Sequence, residues 1–107
     1  MSDQALEHLG PSDFHDGHIL SVERNAAGLV RVQVRGMSGQ LYIVTFSGVR
    51  EVVAEGAVGM MLYALSELPT PREGRRFVFT NWDEEDGARL EVLASEFRIE
   101  PLGSAAR

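Results

Sequence analysis

The feature that most constrains this chain is the strict alternation in Val30-Arg31-Val32-Gln33-Val34-Arg35, entered from Leu29. Extended backbone sends successive side chains to opposite faces, so the three valines share one face and Arg31, Gln33 and Arg35 the other. This is the pattern of a strand with one dry and one wet face. Gly36-Met37-Ser38-Gly39 follows, with two residues that tolerate the positive φ a tight reversal needs. Leu41-Tyr42-Ile43-Val44-Thr45-Phe46 then runs apolar on both faces, Tyr42, Val44 and Phe46 on one and Leu41 and Ile43 on the other. Such a strand is expected at the centre of its sheet, covered from both sides by a second layer of the same chain or by another copy.

The rest of the chain extends the same theme. Ile19 to Arg24 reads as a first strand with Leu20 and Val22 inward, and Asn25-Ala26-Ala27-Gly28 as a turn. Val49, Val52 and Val53 have helical spacing, but β-branched side chains argue weakly for a helix. Residues 57–68 stay open between two readings. Met61, Leu62, Leu65 and Leu68 fit one helical face, whereas the alternation of Met60, Leu62 and Ala64 with Met61, Tyr63 and Leu65 fits a strand covered on both sides. Pro69 to Gly74 is a loop, Arg76 to Trp82 a strand, and Asp83-Glu84-Glu85-Asp86-Gly87 an acidic turn. The final strand, Ala88 to Ile99, changes parity from Leu90, Val92 and Ala94 to Phe97 and Ile99, which predicts a β-bulge between Leu93 and Glu96. The expectation is a mainly β protein: a small antiparallel sheet, sandwich or partial barrel built as a meander, with at most one short helix. It is expected to be a single domain over 1–107, with its core at about 13–100 and loose ends at 1–11 and 101–107.

Composition excludes several kinds of chemistry. The absence of cysteine rules out disulfides, thiolate metal sites and a cysteine nucleophile, and it suits a cytoplasmic setting. All ten basic residues are arginine, so Schiff-base chemistry on lysine is excluded. A formal charge of −6 argues against nucleic acid and anionic membrane as partners. No apolar run approaches the ~20 residues a bilayer-spanning helix needs, and the N-terminus lacks a signal pattern. No G-x-S-x-G elbow occurs, and the glycines form no phosphate-cradling loop ahead of a helix. Neither enzymatic activity nor a cofactor is therefore expected.

One cluster carries potential chemistry. His15, Asp16 and His18, with Asp13 just upstream, bring imidazole and carboxylate ligands of the kind that zinc, manganese or iron takes. In extended chain His15 and His18 point to opposite faces, and they converge only if Gly17 bends the backbone. The alternative is structural: Asp13 or Asp16 caps a turn while His15 orders the entry to the first strand. Trp82 is either a core residue or, with Asp83, Glu84 and Glu85, a partner-binding surface, since interfaces favour tryptophan. The acidic run lacks the ligand spacing of a calcium loop.

Phe14-His15-Asp16-Gly17-His18-Ile19 opening a strand, the hairpin after it, Phe46-Ser47-Gly48-Val49, and Leu90-Glu91-Val92 with Phe97-Arg98-Ile99 together resemble a group of small uncharacterised bacterial β-proteins. Some similar proteins are grouped with immunity proteins of contact-dependent toxin systems. The resemblance spans about residues 13 to 100. It implies a compact β domain with no catalytic residue to carry over, and a protein partner met through an acidic surface. The expected function is thus non-enzymatic: binding a protein partner or self-associating, with a homodimer as one form. The alternative is a metal- or small-ligand-binding domain using His15, Asp16 and His18.

Overall fold

A computed structural model of the chain describes residues 7–25, 27–68, 74–81 and 88–104. Among them run nine strands: β1 (Glu7–Leu9), β2 (His18–Arg24), β3 (Val30–Arg35), β4 (Gln40–Ser47), β5 (Glu51–Glu55), β6 (Leu62–Leu68), β7 (Arg75–Asn81), β8 (Arg89–Ala94) and β9 (Glu96–Ser104). The only helical element among the described residues is a 3-10 turn at Ser12–Phe14. Every pairing between strands is antiparallel. They make a five-stranded sheet in the order β1-β6-β7-β8-β5 and a four-stranded sheet in the order β2-β3-β4-β9. No helix among the described residues is long and apolar enough to cross a membrane.

The two sheets share one core. Val30, Val32 and Val34 are fully buried while Arg31 and Arg35 are exposed, as the alternation requires. Phe46 of β4 meets Phe77 at 5.1 Å and Phe79 at 6.0 Å between ring centroids, and this packing ties the sheets face to face. Burying one such ring contributes roughly 1.5–3 kcal/mol. At one end of the core, Glu67 and Arg75 form a two-bonded ion pair, both bonds 2.9 Å, and the Arg75 guanidinium lies 5.2 Å from the Phe77 ring and 5.3 Å from that of Phe97.

β2-β3-β4 and β6-β7-β8 are each meanders, and the chain changes sheet between them. The change of parity late in the sequence, expected as a bulge within one strand, is such a crossing. β8 ends at Ala94 in the five-stranded sheet, Ser95 turns the corner, and β9 begins at Glu96 in the other sheet. Ser47 to Arg50 turns the same corner alongside, with Ser95 N–H donating to Ser47 O (3.0 Å) and Arg50 N–H to Leu93 O (2.7 Å). Gly48 has φ 64°, and a Cβ there would sit 2.5 Å from Ser95 Oγ, so both backbone conformation and space call for glycine.

Two bulges lie where the residue pattern alone reads differently. β2 carries one at Leu20, so Ile19, three residues from Val22, is the buried residue and Leu20 is not. The expectation of Leu20 inward is corrected accordingly. β6 carries another at Tyr63, which puts Leu62 and Leu65 on the same buried face. That is why residues 57–68 showed helical spacing: an extra residue in a strand turns a period of two into a step of three. The valines from Val49 to Val53 likewise lead into strand β5.

β4 is central in its sheet, as expected; its inner face packs on the five-stranded sheet through Phe46, and Leu41 and Ile43 are half-buried on the outer face, with Arg35, Gln33 and Glu100 as register neighbours. The ends are tied further out than read from sequence, since residues 7–9 pair with β6 and residues 101–104 belong to β9.

Candidate functional site

The 3-10 turn forms because Ser12 and Asp13 follow Pro11, whose carbonyl accepts Phe14 N–H at 3.0 Å. Phe14 drops into the core and meets the Tyr42 ring edge-on at 5.1 Å. With Phe14 anchored, Asp13 is aimed at the β3–β4 turn. Its Oδ2 accepts Ser38 Oγ–H (2.7 Å) and Tyr42 O–H (3.1 Å), its Oδ1 accepts Ser38 N–H (3.0 Å), and its backbone carbonyl accepts Met37 N–H (2.9 Å). The Ser38 hydroxyl above all, then its N–H and Tyr42, holds the Asp13 carboxyl below the ordinary carboxylate range against the opposing effect of burial. Burial first, and then Asp13, pushes the Tyr42 phenol up. Gly36 sits so close that a Cβ would fall 2.1 Å from Asp13 Oδ2. Asp13 therefore staples a hairpin, which is the structural alternative weighed from sequence.

Beyond this turn the chain changes direction. Asp16 adopts φ 69°, a region that Asp tolerates better than most side chains. Asp16 N–H donates to Leu62 O and Leu62 N–H to Gly17 O, at 2.9 and 2.7 Å; Ile19 and Met60 continue the same ladder. This second corner lashes the start of β2 to the start of β6. His15 is exposed, and its Nδ1 donates to Tyr63 O at 3.2 Å while its ring stands edge-on to Tyr63 at 5.1 Å. His18 begins β2, opposite Arg35 and bridged to Met61. The Tyr63 carbonyl, from β6, thus helps to orient the His15 ring. Also among the described residues, no three His, Cys, Asp or Glu are grouped to hold a metal ion. Trp82, Asp83, Glu84 and Glu85, singled out as a partner surface, lie outside the described residues.

What the structure adds beside His15 is a groove. It has a volume of about 310 Å³ and is walled by Gly10, Pro11, Phe14, His15, Tyr63 and Ala64, with Ser12 contributing polarity. Gly10, at φ 77°, holds a backbone conformation that a side chain would strain, and a Cβ there would stand 3.1 Å from both Phe14 and Ile99, which would have to shift by a few tenths of an ångström. Tyr63 and Met61, each 43% exposed, flank the fully buried Leu62. The sequence did not reveal this groove, because its walls come from two stretches some fifty positions apart and Tyr63 sits on a bulge. The one available signal was an exposed-type residue, Tyr63, within an apolar run. Comparison with protein-family models, curated proteins and solved structures finds no match to the chain.

Proposed function

We propose that this chain is a non-enzymatic, cytoplasmic binding module, and that the groove beside His15 receives an apolar side chain from a partner protein. The carrying observation is the groove itself: open, apolar-walled, about 310 Å³, next to exposed Tyr63 and Met61. Small-molecule sites run from about 300 to 1,000 Å³ and enclose most of the ligand, so an open hollow at the bottom of that range suits one side chain better. Tyrosine and methionine are the residues that protein contacts exploit, the first as a rigid amphipathic anchor and the second as adaptable apolar surface. Asp13, the carboxylate nearest the site in sequence to His15 apart from Asp16, is committed to Ser38 and Tyr42. An immunity-like role, implied by the resemblance of the Phe14-His15-Asp16 segment, would make the partner a toxin.

Two measurements test this. Indole and 4-methylphenol, as side-chain surrogates, should shift the amide NMR signals of Gly10, His15, Tyr63 and Ala64, and Ala64→Phe should abolish the shifts by filling the groove. Sedimentation over a tenfold concentration range identifies a second copy as the partner if association appears and Tyr63→Ala removes it. Surrogates that leave those four signals in place at saturating concentration would refute the groove as a contact site.

A further inference from the structure

The outer face of the four-stranded sheet carries a second, chemically different surface. In register across the strands lie Glu23, Arg31, Thr45 and Arg98, so Arg31 and Arg98 are separated by one strand. With strands about 4.8 Å apart, their Cα atoms are roughly 10 Å from one another. Two hollows meet at this row and share Leu29. One, of about 460 Å³, is lined by Glu23, Arg24, Asn25, Leu29 and Arg31, and the other, of about 260 Å³, by Thr45, Ser47, Glu96, Phe97 and Arg98 with Leu29.

We infer that this strip docks an acidic, extended segment of a protein partner, whose two carboxylates, two residues apart and so on one face of the segment, meet Arg31 and Arg98 on either side of Thr45. Charge is the argument. The chain as a whole carries −6, yet here Arg24 and Arg31 make no side-chain hydrogen bond or ion pair among the described residues. Glu23 lies directly opposite Arg31 and forms no bridge to it. Arg98 reaches only Glu100, at 3.3 Å, and remains 74% exposed. Guanidinium groups presented in this way match carboxylates through paired N–H donors. Glu23 and Glu96 on the same strip select against a uniformly anionic polymer and leave room for a segment with separated charges. Single-stranded nucleic acid needs rings to stack on. The one aromatic lining the strip, Phe97, is packed against Phe77 at 5.1 Å and covered by Arg75.

The test uses the full chain and three labelled probes in fluorescence anisotropy. They are a short peptide with a Glu-Leu-Glu centre, its Gln-Leu-Gln counterpart, and a single-stranded oligonucleotide of matching length. The acidic peptide should bind at least tenfold more tightly than the other two. Arg31→Gln with Arg98→Gln should reduce its affinity at least tenfold without moving the melting temperature, since both side chains are exposed. Tyr63→Ala should leave the affinity unchanged, which separates this site from the groove. Equal binding of the two peptides, tighter binding of the oligonucleotide, no binding of the acidic peptide, or indifference to the double substitution would each overturn the assignment.

Discussion

The outer faces of the two sheets use arginine in opposite ways. On the five-stranded sheet, Arg76 and Arg89 both donate to Glu91, at 2.9 and 2.8 Å, one to each carboxylate oxygen. On the four-stranded sheet, Arg31 and Arg35 make no side-chain hydrogen bond or ion pair among the described residues, and that sheet is secured instead from its hairpin tip by Asp13. One face ties two arginines to a single carboxylate in a short ladder, Arg76 from the neighbouring strand and Arg89 from the strand of Glu91 itself. The other leaves Arg31 and Arg35 outward, pairs Arg98 with Glu100 along its own strand, and draws its order from the Asp13 carboxylate bonded to neutral donors at its end. Cross-strand charge pairs stabilise a sheet modestly, and Arg31 and Arg35 contribute none among the described residues.

Substitutions at the hairpin tip break this contrast most strongly. Gly36→Ala inserts a methyl group where the Asp13 carboxylate sits, so the loss should include the staple and the strain of displacing it, about 2–3 kcal/mol in urea unfolding. Asp13→Ala removes only the staple and should cost about 1–2 kcal/mol, with Asp13→Asn retaining part of it. If both variants unfold at the wild-type urea midpoint, the four-stranded sheet does not depend on its tip.

Acid should weaken both regions together. Ser38 holds the Asp13 pKa down, and Arg75, through its hydrogen bonds, does the same for Glu67. A carboxyl whose pKa is lower folded than unfolded contributes its full stability above the unfolded value, near 4, and loses it as pH falls through the folded value. Thermal melts should therefore be flat with respect to these two groups near neutrality and decline below about pH 4. Asp13→Ala should make that decline shallower. Salt separates the two regions, because Arg–Glu pairs are screened and the bonds of Asp13 to neutral donors are not.

Smaller effects belong to the ladder. Glu91→Ala should cost no more than about 1 kcal/mol, since Arg76 and Arg89 are partly solvated, and its cost should shrink in concentrated salt. Arg31→Gln should lie within about 0.5 kcal/mol of wild type in either direction. A large loss at Arg31 would mean that the four-stranded face is braced by charge after all, and the contrast would fail.

Alternation over Leu29 to Phe46 was enough to read β3, β4 and the turn between them, because one buried face imposes a period of two on any strand. The polar density at Asp13 to His18 likewise marked the segment that organises the hairpin tip, and the absence of cysteine and lysine removed whole classes of chemistry. Local sequence was silent where the fold departs from regular geometry. Bulges at Leu20 and Tyr63 gave strands a step of three, and the Ser95 corner looked like a bulge, since a parity change alone does not say whether the chain stays in its sheet. The partners of Asp13 lie 25 and 29 residues away, and the groove joins Pro11 and Phe14 to Tyr63 and Ala64. Periodicity records which side of a strand meets the core. Which distant side chains share a hollow, and which arginines find a carboxylate, follows from strand order, and only the tertiary structure decided that.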